Sequence, residues 1–372
     1  MAETRKNTNE TQKNTNKKGK PEERLLAIQK KIEEFKLDDS KKMDFRVYGF
    51  IGAMVKGNSF NSDLSGMPRT YANGEILASY QSHNKLIRRY FIENLDFNSY
   101  PIFGWTSTKL VMGKDGIERL VPLTLEERYE ELFGAHPKEH GAREILYNLF
   151  SCLDIRMFGL AFAVDGCSLS IHGPISIQNS TNLIKDSTIQ LQGLSSPYRN
   201  SSEKGKDHKK TTLGTQFVVD KALHCFPVVV NPNSHKEYQK YIGDRACLTK
   251  EDYELFKKAS LTAVTDCNSY SKKGCYNVFA IYIELKSDAG EGLPNLNNLI
   301  KYIEPEDEDK GALDLSKFGF LDAHNEKIQA IEVYYDNLTL DIVLPKEWDN
   351  NLRDKCTLMD MSGNVLNTEK EI

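Results

Sequence analysis

From residue 43 to residue 286 the chain alternates strand-like and helix-like segments, and this alternation narrows the fold more than any other feature. MDFRVYGFIGAMVKG (43–57) is a β-rich apolar run that empties into a turn-rich loop, GNSFNSDLSGMPRTYANGE (57–75). ASYQSHNKLIRRYFIENL (78–95) and REILYNLF (143–150) predict helices, and SLSIHGPISIQ (168–178) and KALHCFPVVV (221–230) predict strands. LTKEDYELFKKASLTAV (248–264) predicts a helix that Thr249 caps, with Asp252 three residues on, and CYNVFAIYIELK (275–286) closes the series as a strand. Polar excursions interrupt it at 97–140 and 180–215. A β-α-β/β-α-β order of this kind predicts an α+β fold of ferredoxin-like, split βαβ type, with one sheet face left open.

The flanks are different in character. Residues 1–20 are rich in Asn, Thr and Lys and are expected to form a disordered tail. Leu25, Ile28, Ile32 and Phe35 fall at helical spacing and predict an amphipathic helix over 21–40. Residues 291–372 read as an acidic linker followed by a final β-hairpin, IQAIEVYYDNLTLDIVLP (328–345), with Asp-Asn at its turn.

Charge follows the same division. Residues 1–42 carry a net +4, 43–286 a net +3, and 287–372 a net −11 centred on EPEDEDK (304–310). A mildly basic middle can hold a polyanion through local clusters. The N-terminal stretch lacks the apolar run of a secretory signal, and no run of 18 apolar residues exists, so a cytoplasmic protein without a membrane span is expected. The seven cysteines are scattered and none forms a C-x-x-C pair, which predicts reduced thiols.

Several patterns suggest catalysis and fail on inspection. HPKEH (136–140) superficially matches a zinc-protease helix, but Gly141 breaks the helix directly after the second histidine. In GAMVKGNS (52–59) Lys56 precedes the second glycine, whereas a phosphate-binding P-loop needs the lysine after it. No G-x-S-x-G occurs. Asp63 reads as a turn residue in a Ser/Asn loop, and Asp154 as a cap or a partner of Arg156. What remains is cationic. Lys56, Asn58, Arg69, His83, Lys85, Arg88 and Arg89 cluster around the first strand–loop–helix unit. Ser271, Lys272 and Lys273 precede a strand, and Lys206, Lys209 and Lys210 lie in the second excursion. Long cationic side chains beside small hydroxyls suit phosphates, which supply affinity without reading bases.

The ordered motifs resemble the Cas7 family, the backbone subunit of type I CRISPR Cascade complexes within the RAMP proteins, most closely its type I-B branch. The first loop ends at Pro68-Arg69, and NKLIRRYF loosely matches a basic helix signature. Asp154, Arg156, Phe158 and Gly159 match a D-x-R-x-F-G segment, and GPISIQ (173–178) a G-P-[IV]-x-[IV]-Q strand. LTKEDYELFKKA matches an L-T-x-E-D helix, and Ser269, Ser271, Lys272 and Gly274 an S-x-S-K-x-G turn. The first loop lacks the Asn-Pro-Asn-Gly-Asp run of many I-B relatives, and nothing transfers onto the 40-residue leader.

The resemblance implies an RNA-recognition-motif palm over 41–290, with 97–140 contributing a finger region and 180–215 a β-hairpin thumb. It implies copies stacked head to tail along a CRISPR guide RNA, beside other Cascade subunits, with the bases free to pair with target DNA. Phosphate contacts are then expected from Lys56, Arg69, Lys85, Arg88, Arg156, Lys206, Lys209, Lys272 and Lys273. Polar help is expected from Asn58, His83, Gln178, Asn179, Ser180 and Ser271. No catalytic residue, metal or cofactor is expected. The alternative is a metal-dependent target-RNA endonuclease of type III kind, for which Asp63 is the candidate.

Overall fold

The computed structural model describes residues 21–195, 213–267, 269, 272–306, 310–348 and 350–366. The leader supplies α1 (Pro21–Glu34). The body then runs β1 (Val47–Asn58), α2 (Tyr80–Asn94), β2 (Thr108–Met112), β3 (Glu118–Pro122), α3 (Leu125–Phe133), α4 (Ala142–Leu149) and α5 (Leu153–Phe158). It continues through β4 (Gly159–Val164), β5 (Cys167–His172), β6 (Ile175–Ile177), β7 (Thr181–Asn182), β8 (Ile189–Ser195) and β9 (Leu213–Val230). Helices α6 (Lys236–Ile242) and α7 (Lys250–Thr262) lead to β10 (Cys275–Leu285). The C-terminal part holds β11 (Lys301–Ile303), β12 (Gly311–Asp314), β13 (Ile328–Tyr335), β14 (Leu340–Val343), α8 (Asn350–Arg353) and β15 (Cys356–Met359).

The central sheet has the order β15-β13-β10-β1-β9-β6. Its β10-β1-β9-β6 portion is antiparallel throughout, with α2 following β1 and α7 joining β9 to β10. This is the strand order of a split βαβ unit, as the alternation predicts. Helices α2, α5 and α7 cover one face. Ile87, Phe91, Leu153, Met157 and Phe256 meet Val47, Ile51, Ala53 and Val55 of β1 there.

The other face is not open, which corrects the sequence expectation. Phe50 and Met54 of β1, Leu223 and Cys225 of β9, and Ile281 and Ile283 of β10 share a second core. Leu293, Leu296, Leu313, Phe318, Leu321, Trp348 and Leu352 complete it. The segment read as an acidic linker is therefore the sheet's second cover. Close packing leaves no room at Gly52, where a Cβ would lie 2.1 Å from the Phe279 ring.

The final hairpin also does not form. Strand β13 pairs antiparallel with β10 on one edge and parallel with β15 on the other. No edge is left for β14, which pairs parallel with β12 in a separate three-stranded sheet. The sequence reading missed β15.

A third core lies around α3, α4, α6 and the β4–β5 hairpin, with Tyr129, Leu149, Phe150, Phe162 and Ile242 at its centre. The leader helix joins it through Ile32. Among the described residues no helix is long and apolar enough to cross a membrane.

Candidate nucleic-acid interface

The loop that follows β1 is tied down at several points. Asn58 donates to the Lys273 carbonyl (2.9 Å) and accepts from the Ser59 amide (2.8 Å), so the end of β1 is clipped to the turn before β10. Asn61 accepts from the Ser79 amide and Asn179 from the Tyr80 amide, which fixes the start of α2. Ser180 is buried; its hydroxyl accepts from the Ala78 amide and bonds His224 Nδ1 at 2.9 Å.

These ties shape a cleft of about 710 Å³ between the loop, α2, the 105–106 segment and the foot of the β8–β9 hairpin. Asn58, Ser59, Asn61, Ser62, Ser82 and Gln216 supply polar walls; Phe60, Trp105 and Phe217 supply aromatic ones. Lys85, Arg89 and Lys272 bring positive charge. The Lys272 ammonium sits 4.6 Å from the centre of the Phe60 ring. Burial holds it below the usual lysine range, and neighbouring Lys85 acts in the same direction. Lys85 is exposed and has no partner among the described residues. Arg89 pairs with Glu93 at 2.7 Å and donates to Cys267 Sγ. Cations beside aromatic faces in a polar groove suit a single-stranded polyanion.

A second, more open hollow on the other side of the loop is lined by Arg69, Asp63, Gln81 and Asn179, with Arg69 exposed. Lys56 and Lys273 are exposed but do not line the cleft: Lys56 borders a separate hollow with Tyr276, Tyr302 and Leu340, and its amide donates to the Gly274 carbonyl. Gln178 is exposed and accepts from Asn297. Lys206, Lys209 and Ser271 lie outside the described residues.

Four expected contacts are corrected, the first being Ser180, whose buried hydroxyl is already held by Ala78 and His224. His83 is fully buried, its ring 4.6 Å from Phe226 and stacked on Phe60. Neither ring nitrogen has a partner among the described residues, and burial pushes its pKa down to about 3. Arg88 bonds the fully buried Asp154 at 2.8 Å and lies over Phe158. Arg156 forms a two-pronged pair with Asp252 (2.8 and 3.1 Å) and donates to the Phe150 and Ser151 carbonyls. Asp154 is thus the partner of Arg88, not of Arg156. It also accepts from the Phe103 and Gly104 amides at 2.8 Å. The D-x-R-x-F-G motif is a structural joint. Gly159, at φ 75°, leaves no space for a Cβ, which would stand 2.0 Å from the Ile171 carbonyl oxygen.

Sequence reasoning missed Trp105, Phe217 and Gln216, which reach the cleft from distant segments. Arg89, named in the basic cluster read from the sequence, does reach the cleft: Lys85 and Arg89 stand four apart, on the stripe beside the buried His83, Leu86, Ile87, Tyr90 and Phe91. The histidines of HPKEH hold protein partners: His136 caps a short helical turn and His140 bonds the buried Tyr129 hydroxyl at 2.9 Å. No group of residues suited to a metal occurs among the described residues.

Fold and cleft together define an α+β protein with a cationic, aromatic-walled groove at the rim of a split βαβ sheet. The chain belongs to the CRISPR-associated protein Cas7 family, whose model matches residues 45–319. Solved structures similar to it include a chain of a "CRISPR RNA-guided surveillance complex, pre-nicking", 11% identical with a TM-score of 0.44 over 80% of this chain and 96% of that one. A chain of a "CRISPR RNA-guided surveillance complex" is likewise 11% identical, with a TM-score of 0.42 over 80% of this chain and 94% of that one. No curated protein matches the sequence.

Proposed function

We propose that the protein is a non-catalytic guide-RNA-binding backbone subunit of a type I, I-B-like surveillance complex, acting in the cytoplasm. Copies line up head to tail along the RNA, other subunits cap the assembly, and the bases stay free to pair with target DNA. In this reading 41–290 is the palm, 97–140 contributes the finger and 180–215 the thumb. The observation that carries it is the Lys272 ammonium, poorly solvated over Phe60 and sharing the cleft with Lys85, which has no partner among the described residues. A phosphate there pairs with both cations without any base being read.

The non-catalytic part rests on Asp63. Its Oδ1 accepts from the Ser65 amide, the Ser65 hydroxyl and the Met67 amide, so the carboxylate serves its own turn. Co-expression with a CRISPR array tests the binding role. Wild-type protein is expected to purify with RNA of defined length, and Lys85→Glu combined with Lys272→Ala to lose most of it. Retention of that RNA by the double variant refutes the cleft as the binding groove. Regularly spaced, Mg²⁺-dependent cuts in complementary RNA would favour the nuclease reading instead.

A further inference from the structure

The loop between β1 and α2 is a partition. Ser62 and Gly66 border the cleft, while Leu64, Met67 and Arg69 border the open hollow, about 750 Å³, on its other side. The turn that carries them is braced from within. Ser62 and Pro68 pair across it as an antiparallel bridge, and the Asp63 amide donates to the Met67 carbonyl at 2.8 Å. The Asp63 carboxylate closes the tip by accepting from the Ser65 amide at 2.8 Å and the Met67 amide at 3.1 Å.

At that tip Leu64 stands wholly in solvent, with a relative exposure of 109%, and Met67 is 40% exposed. A single leucine on a surface means little by itself. This one is held out on a braced turn between two cationic hollows. Lys85 and Lys272 stand in the cleft and Arg69 in the hollow, and none of the three forms an ion pair among the described residues. The carboxylate at the crossing, Asp63, has one oxygen filled by its own turn and the Arg69 charge close by.

Phosphates drawn to the cations on both sides leave the nucleotide between them lying across Leu64. A protein partner would have to match separate cations around one apolar knob, whereas a single strand repeats phosphate and flat base face in turn. We infer that a single strand leaves the cleft over this turn, Arg69 taking a phosphate on the far side and Leu64 packing on the face of the base in between. An isobutyl group has no donor or acceptor and meets all four bases alike, so the contact holds the strand without reading it. The inference rests on the guide-RNA reading above and adds the route by which the strand leaves the cleft.

Two strands of equal length separate the contacts: a short oligouridylate, and the same ribose-phosphate chain with every base removed. Affinities for the full chain are read by fluorescence anisotropy. Leu64→Ala is expected to weaken oligouridylate binding about fivefold, the effect of trimming a half-covered isobutyl group to a methyl, and to leave the abasic strand unchanged. Arg69→Ala is expected to weaken both strands alike. Wild-type affinity for oligouridylate in Leu64→Ala overturns the inference, as does an equal loss on both strands or an Arg69→Ala variant that binds both normally. If Leu64→Asp keeps both affinities yet shrinks assemblies on guide RNA, the tip belongs to a protein contact and the inference falls. Leu64 belongs to none of the three cores, so these variants keep the fold. Wild-type protein that binds neither strand would refute the proposed function, and the inference with it.

Discussion

Lys85 and Arg88 stand three residues apart on α2, carry the same charge, and are expected to fail in opposite ways when cut to alanine. Lys85 is exposed at the cleft and unpaired among the described residues. Its loss leaves no buried group stranded, so stability should change by no more than about 0.5 kcal/mol. If it holds one phosphate of a single strand, the slope of log affinity against log salt should fall by about 0.7. Arg88 is 16% exposed and bonds an Asp154 that is 0% exposed. Without the guanidinium, the Asp154 carboxylate keeps the Phe103 and Gly104 amides but loses its countercharge. Breaking one side of a buried pair costs about 3–5 kcal/mol, and the salt slope should not move. Urea denaturation followed by the fluorescence of Trp105 and Trp348 gives the first quantity, and anisotropy of a labelled single-stranded RNA across a salt series gives the second. If Arg88→Ala lowers the salt slope as Lys85→Ala does and leaves the urea midpoint in place, the assignment of Arg88 to the interior is wrong.

Other consequences can be measured separately. His83 and His224 are both buried, with pKa values pushed down to about 3 by desolvation. Between about pH 6.5 and 3 the unfolded chain binds protons at these sites that the folded chain refuses, so stability present above pH 6.5 is lost as pH falls. The loss is about 1.4 kcal/mol per pH unit per histidine. Replacing His83 by Phe should remove one share of it, widening the stability gap over wild type by about 2 kcal/mol between pH 6.5 and 5 in urea melts; a constant gap argues that His83 becomes charged in place. Asp63→Ala should leave any RNA cleavage by purified assemblies at its wild-type level, read on a gel with complementary RNA and Mg²⁺. Gly52→Ala should lower stability by about 1–3 kcal/mol through overpacking against Phe279, with RNA affinity unchanged; a neutral urea midpoint would mean that the ring yields freely.

The strand order was legible because β1, β9 and β10 are long apolar runs separated by capped helices. Their texture carried a further message. VYGFIGAMV in β1 and CYNVFAIYIEL in β10 are almost continuously apolar, where a sheet with one wet face alternates. That texture announces burial on both faces. The matching cover was harder to see, because Leu293, Leu313, Phe318, Trp348 and Leu352 are spread among acids and short elements without periodicity. At the site, charge in the sequence marked Lys85 and Lys272 but did not distinguish them from Arg88 and Arg156. That distinction depends on which carboxylate lies opposite, and Asp154 and Asp252 come from elsewhere in the chain.

The second cover has a consequence for how RNA is met under the proposed function. In an RNA-recognition sheet that is open on one side, aromatic residues on the central strands stack bases and so sense their identity. Here the corresponding positions on β1 and β9, Phe50, Met54, Leu223 and Cys225, are sealed beneath Leu293, Phe318 and Trp348. Among the described residues the ends of the strands are left to face a ligand, and what they offer is Lys272 before β10 and Phe217 early in β9, with Asn58 clipping the end of β1 to the Lys273 carbonyl. A lysine at a strand end holds phosphate, which is the same at every nucleotide. Closing the sheet face thus removes the platform for base stacking and leaves backbone contact, which is the division of labour that a guide strand read by pairing requires.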